Sequence, residues 1–256
     1  MFRGSAATTT RTIILQVLLG TAALGYFVQT GQYSFILYSA LLFYAFMQVL
    51  HNIALHKYFS HNSFKTTRFW HVIMSIASPL ACAGSPYAYA MSHRAHHIFS
   101  DTEKDPHGKY LSFFKIAMFD WNFKKIPIRT AESLNDKWIM IAHNYYLGII
   151  LLFYVILGFI DFRLALVYNV SVLLLWLAYI SINILNHREA ILNYRNFNTG
   201  DGSFNNIFVG YIVGEWHNNH HKNPQQWNQK IKWWEFDMSA QLIKLIAVSY
   251  THLRAH

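Results

Sequence analysis

The chain has 256 residues and is 54% hydrophobic and 17% aromatic, with only 13% charged residues. Soluble domains carry about 25% charged residues, so the deficit argues against a soluble globular protein. The net charge of +9 then suits an anionic membrane surface, and no nucleic-acid partner is expected.

Four apolar stretches have the composition of membrane spans, residues 12–28, 35–55, 145–160 and 164–185. Each approaches the ~20 residues that a helix needs to cross ~30 Å of hydrocarbon. Between the second and third, residues 69–91 are apolar but interrupted by Pro79, Gly84 and Pro86. This segment predicts a helix lying at the membrane interface or packed on the core. The short links at residues 29–34 and 161–163 pair the spans into two hairpins. The expected fold is an all-α membrane protein of one domain, residues 1–248, with four transmembrane helices and a cytoplasmic helical cap. Residues 249–256, Ser-Tyr-Thr-His-Leu-Arg-Ala-His, read as translated adaptor sequence and as a non-native tail.

Basic residues set the orientation. Of the 21 Lys and Arg, only Arg163 falls in a link on one side, and the other 20 fall on the opposite side. The positive-inside rule places both termini and the large central loop in the cytoplasm. No secretion signal is expected, because the first span runs into the second without a small-residue cleavage pattern. The single cysteine, Cys82, excludes an intrachain disulfide framework and a cysteine zinc site.

Fifteen histidines are far more than a core of this size needs. Three clusters hold most of them. They are His56-Lys-Tyr-Phe-Ser-His61 after the second span, His93-Arg-Ala-His96-His97 after the interrupted segment, and His217-Asn-Asn-His220-His221. A fourth element, Asn183-Ile-Leu-Asn-His187, ends the last span. All four fall on the side that Lys and Arg assign to the cytoplasm. In the HxxHH spacing, positions three and four apart share a helix face, so several imidazoles can converge on one metal pair. In HxxxxH the two rings stand about 140° apart around an ideal α-helix, so they approach a site from different sides or the helix ends between them. Imidazole suits zinc, copper, iron and nickel, and the ligands alone do not choose among them. Nine histidines exceed the needs of one ion, which points to two. His51, His71, His107 and His143 lie outside the boxes and read as packing or hydrogen-bonding residues. There is no HExxH, no Glu-x-x-His and no Gly-rich nucleotide fingerprint, so electrons must come from a separate partner.

These boxes, in the stretches HKYFSHNSFK, SHRAHHIFSDTEKDPH, NILNH and GEWHNNHHKNP, with WWEFD after the third, strongly resemble the membrane fatty acid desaturases, and within them the Δ9 acyl desaturases. The lead into the third box is one residue shorter here than is usual in that family. The resemblance implies a non-haem di-iron centre held by His56, His61, His93, His96, His97, His187, His217, His220 and His221, with Asn183 holding one iron through a water. It implies no catalytic residue beyond the metal centre. It implies O2 as co-substrate and a fatty acyl substrate linked to CoA, acyl carrier protein or lipid. It also implies an external electron donor of the ferredoxin or cytochrome b5 type, and residence in a bilayer, more readily a bacterial inner membrane than endoplasmic reticulum. Two other functions fit the histidines. Hydroxylases of alkanes, sterols or carotenoids share such boxes and would add 16 mass units rather than remove 2. A non-catalytic metal binder or transporter would place its ligands near the bilayer midplane, whereas these lie at span ends and in cytoplasmic segments.

Overall fold

The computed structural model describes residues 2–118 and 134–248, with side chains from Thr12 onward. The tail at 249–256 lies outside the described residues, and so does the middle of the central loop. Helix α1 (Phe2–Gln29) turns at Thr30–Gln32 into α2 (Tyr33–Phe46), which continues without a break as a π-helix, Met47–Ser60. Then follow α3 (Arg68–Ala77), a 3₁₀ turn (Ser78–Ala81), α4 (Pro86–Phe99) and α5 (Phe113–Ala117). After the undescribed stretch come α6 (Lys137–Asn144), α7 (Tyr146–Ile160) and α8 (Phe162–Leu185). A two-residue antiparallel ladder, β1 (Asn193–Tyr194) with β2 (Asn205–Asn206), precedes a π-turn at Val209–Val213, then α9 (His217–Lys222) and α10 (Met238–Ile246).

Three segments are long and apolar enough to cross a membrane: Thr12–Gln29, Tyr33–Ser60 and Phe162–Leu185. The expected third span coincides with helix α7. Helix α7 has 15 residues, about 22 Å at 1.5 Å per residue, which is less than the hydrocarbon thickness. It reaches span length only together with α6, from which it bends by 73°. The second span is longer than expected, because the π-helix carries it on to Ser60. The interrupted segment is corrected, from one helix to two. Pro79 opens the 3₁₀ turn, Cys82 and Gly84 take left-handed φ of 57° and 106°, and Pro86 stands at the start of α4, where its missing N–H costs nothing.

Helix α8 is the hub. It packs along α1, α2 and α7 and buries Tyr168, Val172, Leu175, Tyr179 and Ile182. The approach of α1 to α8 is close enough that a Cβ on Gly20 would stand 2.7 Å from the Asn169 carbonyl oxygen. The outward faces carry Leu15, Leu18, Leu151 and Phe159, all exposed, as lipid-facing helices do. Polar structure gathers at the other end of α8. There the π-helix, α4 and α9 pack around one buried cluster of rings.

Candidate metal centre

Each box is placed by local chemistry that its sequence carries. The π-helix aligns box one. Its hydrogen bonds close at i→i+5, so His51 and His56, five apart within it, lie about one turn apart on one face. The helix ends at Ser60, between the two histidines of the box, and His61 at its C-cap brings its ring to 5.2 Å from that of His56. His51, one step earlier in the same register, follows at 6.3 Å from His56. Arg94 of box two donates to the carbonyls of Phe59 and Ser60, capping the C-terminal end of the π-helix and locking α4 beside it. Box three sits on α9, whose interior asparagines are tied to the rest of the cap. Asn218 donates to Phe197 and Ser203, and Asn219 bonds Glu235 and the Gln229 carbonyl. Gly214, at φ 85°, makes the turn into this box, and a Cβ there would stand 2.5 Å from Gln48.

The nine box histidines divide into two clusters. In the first, the Nε2 atoms of His56 and His220 are 2.9 Å apart and those of His97 and His220 are 2.8 Å apart. His93 Nε2 is 3.1 Å from His97, and His61 packs edge-on against His93, His97 and His220. In the second, His217 and His187 approach to 2.6 Å, and His96 and His221 to 3.3 Å. The boxes interleave: His93 and His97 serve the first cluster and His96 the second, although all three stand on α4. Likewise His220 serves the first, while His217 and His221 serve the second.

These distances fit metal ions. Two imidazole nitrogens bound to one ion at about 2.0–2.1 Å stand about 2.9 Å apart at a right angle and about 3.3 Å apart at the tetrahedral angle. Hydrogen bonding alone cannot account for the packing. His220 Nε2 faces both His56 Nε2 and His97 Nε2, and a ring nitrogen carries at most one proton. Burial, reinforced by the charge neighbouring histidines would carry, pushes His93, His96, His97, His217 and His220 well below the usual imidazole range. Burial lowers His61 to about 3 and His221 to about 4. At neutral pH these rings are uncharged, the form that binds metal.

The second cluster has an outer layer that the histidine spacing does not reveal. His96 Nδ1 lies 2.9 Å from both Asp105 oxygens, and His221 Nδ1 lies 2.7 Å from Asp201. His187 Nδ1 lies 3.4 Å from Asp101, and His217 Nδ1 bonds Glu215. Each carboxylate fixes the proton on Nδ1 and turns the Nε2 lone pair inward. Burial opposes ionisation of Asp101 and Asp201, but hydrogen bonds from their histidines prevail, holding Asp101 to about 2 and Asp201 well below the carboxylate range. Glu215 differs, since burial raises it despite the surrounding histidines. Its second oxygen lies 3.8 Å from His56 Nδ1, so it reaches toward both clusters. Asp101 and Asp105 belong to SDTEKDPH and Glu215 to GEWH, so those stretches held a signal. Asp201, in Thr-Gly-Asp-Gly, held none.

Asn183 lies beside the second cluster on the wall of a cavity of about 40 Å³, with its Nδ2 on the Tyr179 carbonyl. Ala83, Tyr89, Tyr179 and Ile182 supply other parts of that wall. Among the histidines outside the boxes, His71 bonds Tyr58 and Asp136, and His143 bonds Ser85, all away from the clusters. His51 is engaged at both nitrogens, by Asn52 and Tyr89, but borders the cavity. His107 also borders it, and stacks on His96 at 4.3 Å.

Residues 33–253 match the fatty acid desaturase family. Similar curated proteins include the sn-1 stearoyl-lipid 9-desaturase of Anabaena variabilis, 28% identical over 215 residues, covering 77% of this chain and 74% of that one. The sn-1 stearoyl-lipid 9-desaturase of Synechocystis sp. (strain ATCC 27184 / PCC 6803 / Kazusa) is 30% identical over 209 residues, covering 77% and 64%. Delta-9 acyl-lipid desaturase 1 of Arabidopsis thaliana is 26% identical over 215 residues, covering 77% and 67%.

Proposed function

This chain belongs to the fatty acid desaturase family and is a fatty acyl desaturase; we propose that it inserts a cis double bond at Δ9 of a saturated C16 or C18 acyl chain. The reaction consumes one O2, two electrons and two protons, and releases two waters for the two hydrogens taken from adjacent methylenes. The observation that carries this reading is the convergence of two groups of buried, neutral imidazoles beside a cavity with an apolar wall.

In this reading His56, His61, His93, His97 and His220 hold one iron, and His96, His187, His217 and His221 hold the other, with Asn183 reaching it through a water. Bound iron supplies the O2 chemistry that breaks an unactivated C–H bond. The chain's own residues do the rest. Asp101, Asp105, Asp201 and Glu215 keep their histidines in one tautomer and one orientation. Ala83, Ile182 and Tyr179 border the methylenes to be oxidised and keep bulk water away from them. Tyr89, hydrogen-bonded to His51, closes the wall nearest His93.

The molecule crosses the membrane four times as two hairpins. Its histidine cap and both termini are cytoplasmic, on the 20-to-1 division of Lys and Arg. Its setting is a bacterial inner membrane. A ferredoxin or cytochrome b5 type donor delivers the electrons, and the acyl carrier is a lipid, as in the names of the relatives above, or CoA. Expression in a desaturase-deficient host, followed by mass analysis of double-bond position, tests the proposal. Products 2 mass units lighter, unsaturated at Δ9, are expected. Products 16 units heavier would make it a hydroxylase, and no new product would leave a metal binder.

A further inference from the structure

Three cavities are linked by shared wall residues, from the histidines to the lipid-facing surface. The first borders the second cluster and ends at Tyr179. The next, about 10 Å³, shares Tyr179 and is closed by Ile13, Gln16, Cys82, Val172 and Trp176. The third shares Gln16 and opens outward as a groove of about 580 Å³ between α1 and α7. Its walls are Leu15 and Leu19 on one side and Leu147, Leu151 and Tyr154 on the other.

Gln16 therefore stands between the inner cavities and the outer groove. Its side chain is an odd choice for a wall. It is buried, 4% exposed, among apolar groups. Its Nε2 donates to the Cys82 sulfur at 2.9 Å, and its Oε1 has no hydrogen-bond partner among the described residues. A sulfur is a weak acceptor, so swinging this amide aside costs little, and it already bears an unsatisfied carbonyl that a rigid wall would not keep.

We propose that the acyl-binding tunnel has a second mouth in the bilayer, gated by Gln16 and Cys82, through which the methyl end of a very long chain passes into the groove between α1 and α7. The proposal rests on the Δ9 desaturase reading, and length makes it specific. Along α8, Asn183 and Val172 are eleven residues apart, about 16 Å at 1.5 Å per residue. With carbon–carbon bonds of about 1.52 Å at about 111°, an extended chain advances about 1.25 Å per bond. Nine bonds run from C9 to the end of a C18 chain, about 11 Å, so the chain ends inside the closed gate. A C22 chain adds four bonds, reaches about 16 Å, and comes level with Val172 and the gate. Chains of C22 and longer thus become substrates because the gate opens.

The test uses the full-length protein in membranes of a desaturase-deficient host supplied with C16 and C22 saturated acyl substrates, and reads the ratio of C22 to C16 product. The wild type is expected to desaturate both. Gln16→Trp plugs the gate and should lower the ratio about tenfold, the factor that about 1.4 kcal/mol of lost binding gives. Leu151→Trp obstructs the groove from an exposed position that the core does not depend on, and should lower it too. Absence of C22 product from a wild type that makes C16 product, or a ratio unmoved by both substitutions, overturns the gate. Absence of product at either length overturns the desaturase reading itself, and the gate with it.

Discussion

Asp201 tests the outer layer of the second cluster most cleanly, because it meets the metal centre through one histidine. Its Oδ2 lies 2.7 Å from His221 Nδ1, and its other oxygen is occupied by Ser203 and Thr199. Asp201→Asn keeps the shape and an acceptor but removes the charge. Hydrogen bonds to charged groups contribute about 1.5–3 kcal/mol against about 0.5–1.5 for neutral ones. The exchange should therefore cost about 1–1.5 kcal/mol, or about five- to twelvefold in affinity at that ion. Asp201→Ala removes the partner altogether, and should reach the 10–100-fold typical of losing such a support. The assay is iron content per chain across a chelator series on purified protein. The alanine variant should lose one iron at lower chelator and keep the other, because no histidine of the first cluster has a carboxylate within hydrogen-bonding distance among the described residues. Identical release curves for wild type and Asp201→Ala, or loss of both irons together, would refute the reasoning.

Three further predictions concern different parts of the molecule. Lys57 is 1% exposed and meets Asp237 at 2.7 Å, tying box one to the segment that follows box three. Lys57→Met leaves a buried carboxylate without its counter-charge and should destabilise the fold by about 3–5 kcal/mol, seen as early loss of the folded form on heating, and adding Asp237→Leu should recover part of it. Alanine at any of the nine box histidines should abolish turnover, at Asn183 reduce it, and at His71 or His143 leave substantial activity; full iron and full activity in His187→Ala would remove that residue from the ligand set. Reporter fusions after Gly31 and Asp161 should read outside and one after Lys109 inside, and an outside signal at Lys109 would sink the topology.

The sequence announces the centre through spacing, because ligands that share a helix must recur at helical intervals. His93, His96 and His97 are legible for that reason, and so are His217, His220 and His221. What spacing cannot show is which ring serves which cluster, since neighbours on α4 part company only when α9 packs opposite. Which acid supports which histidine is hidden for a similar reason. Asp101 lies 86 positions from His187, and only the fold joins them. For box one the spacing left two routes open, and the structure takes the second, since the helix ends at Ser60, between His56 and His61. Composition located the spans that are long enough alone. It also located α7, whose apolar run gives no sign of the 73° bend before it. Gln16 illustrates the limit from the other side, as a polar residue in an apolar span that acquires meaning only between two cavities.

The central claim is that two adjacent but separate histidine clusters hold one iron each. Iron content of the purified protein, with His93→Ala and His217→Ala beside it, tests this most directly. Close to two irons per chain are expected in the wild type, and close to one in each variant, lost from opposite clusters. One iron in the wild type, or two retained in both variants, would contradict the account.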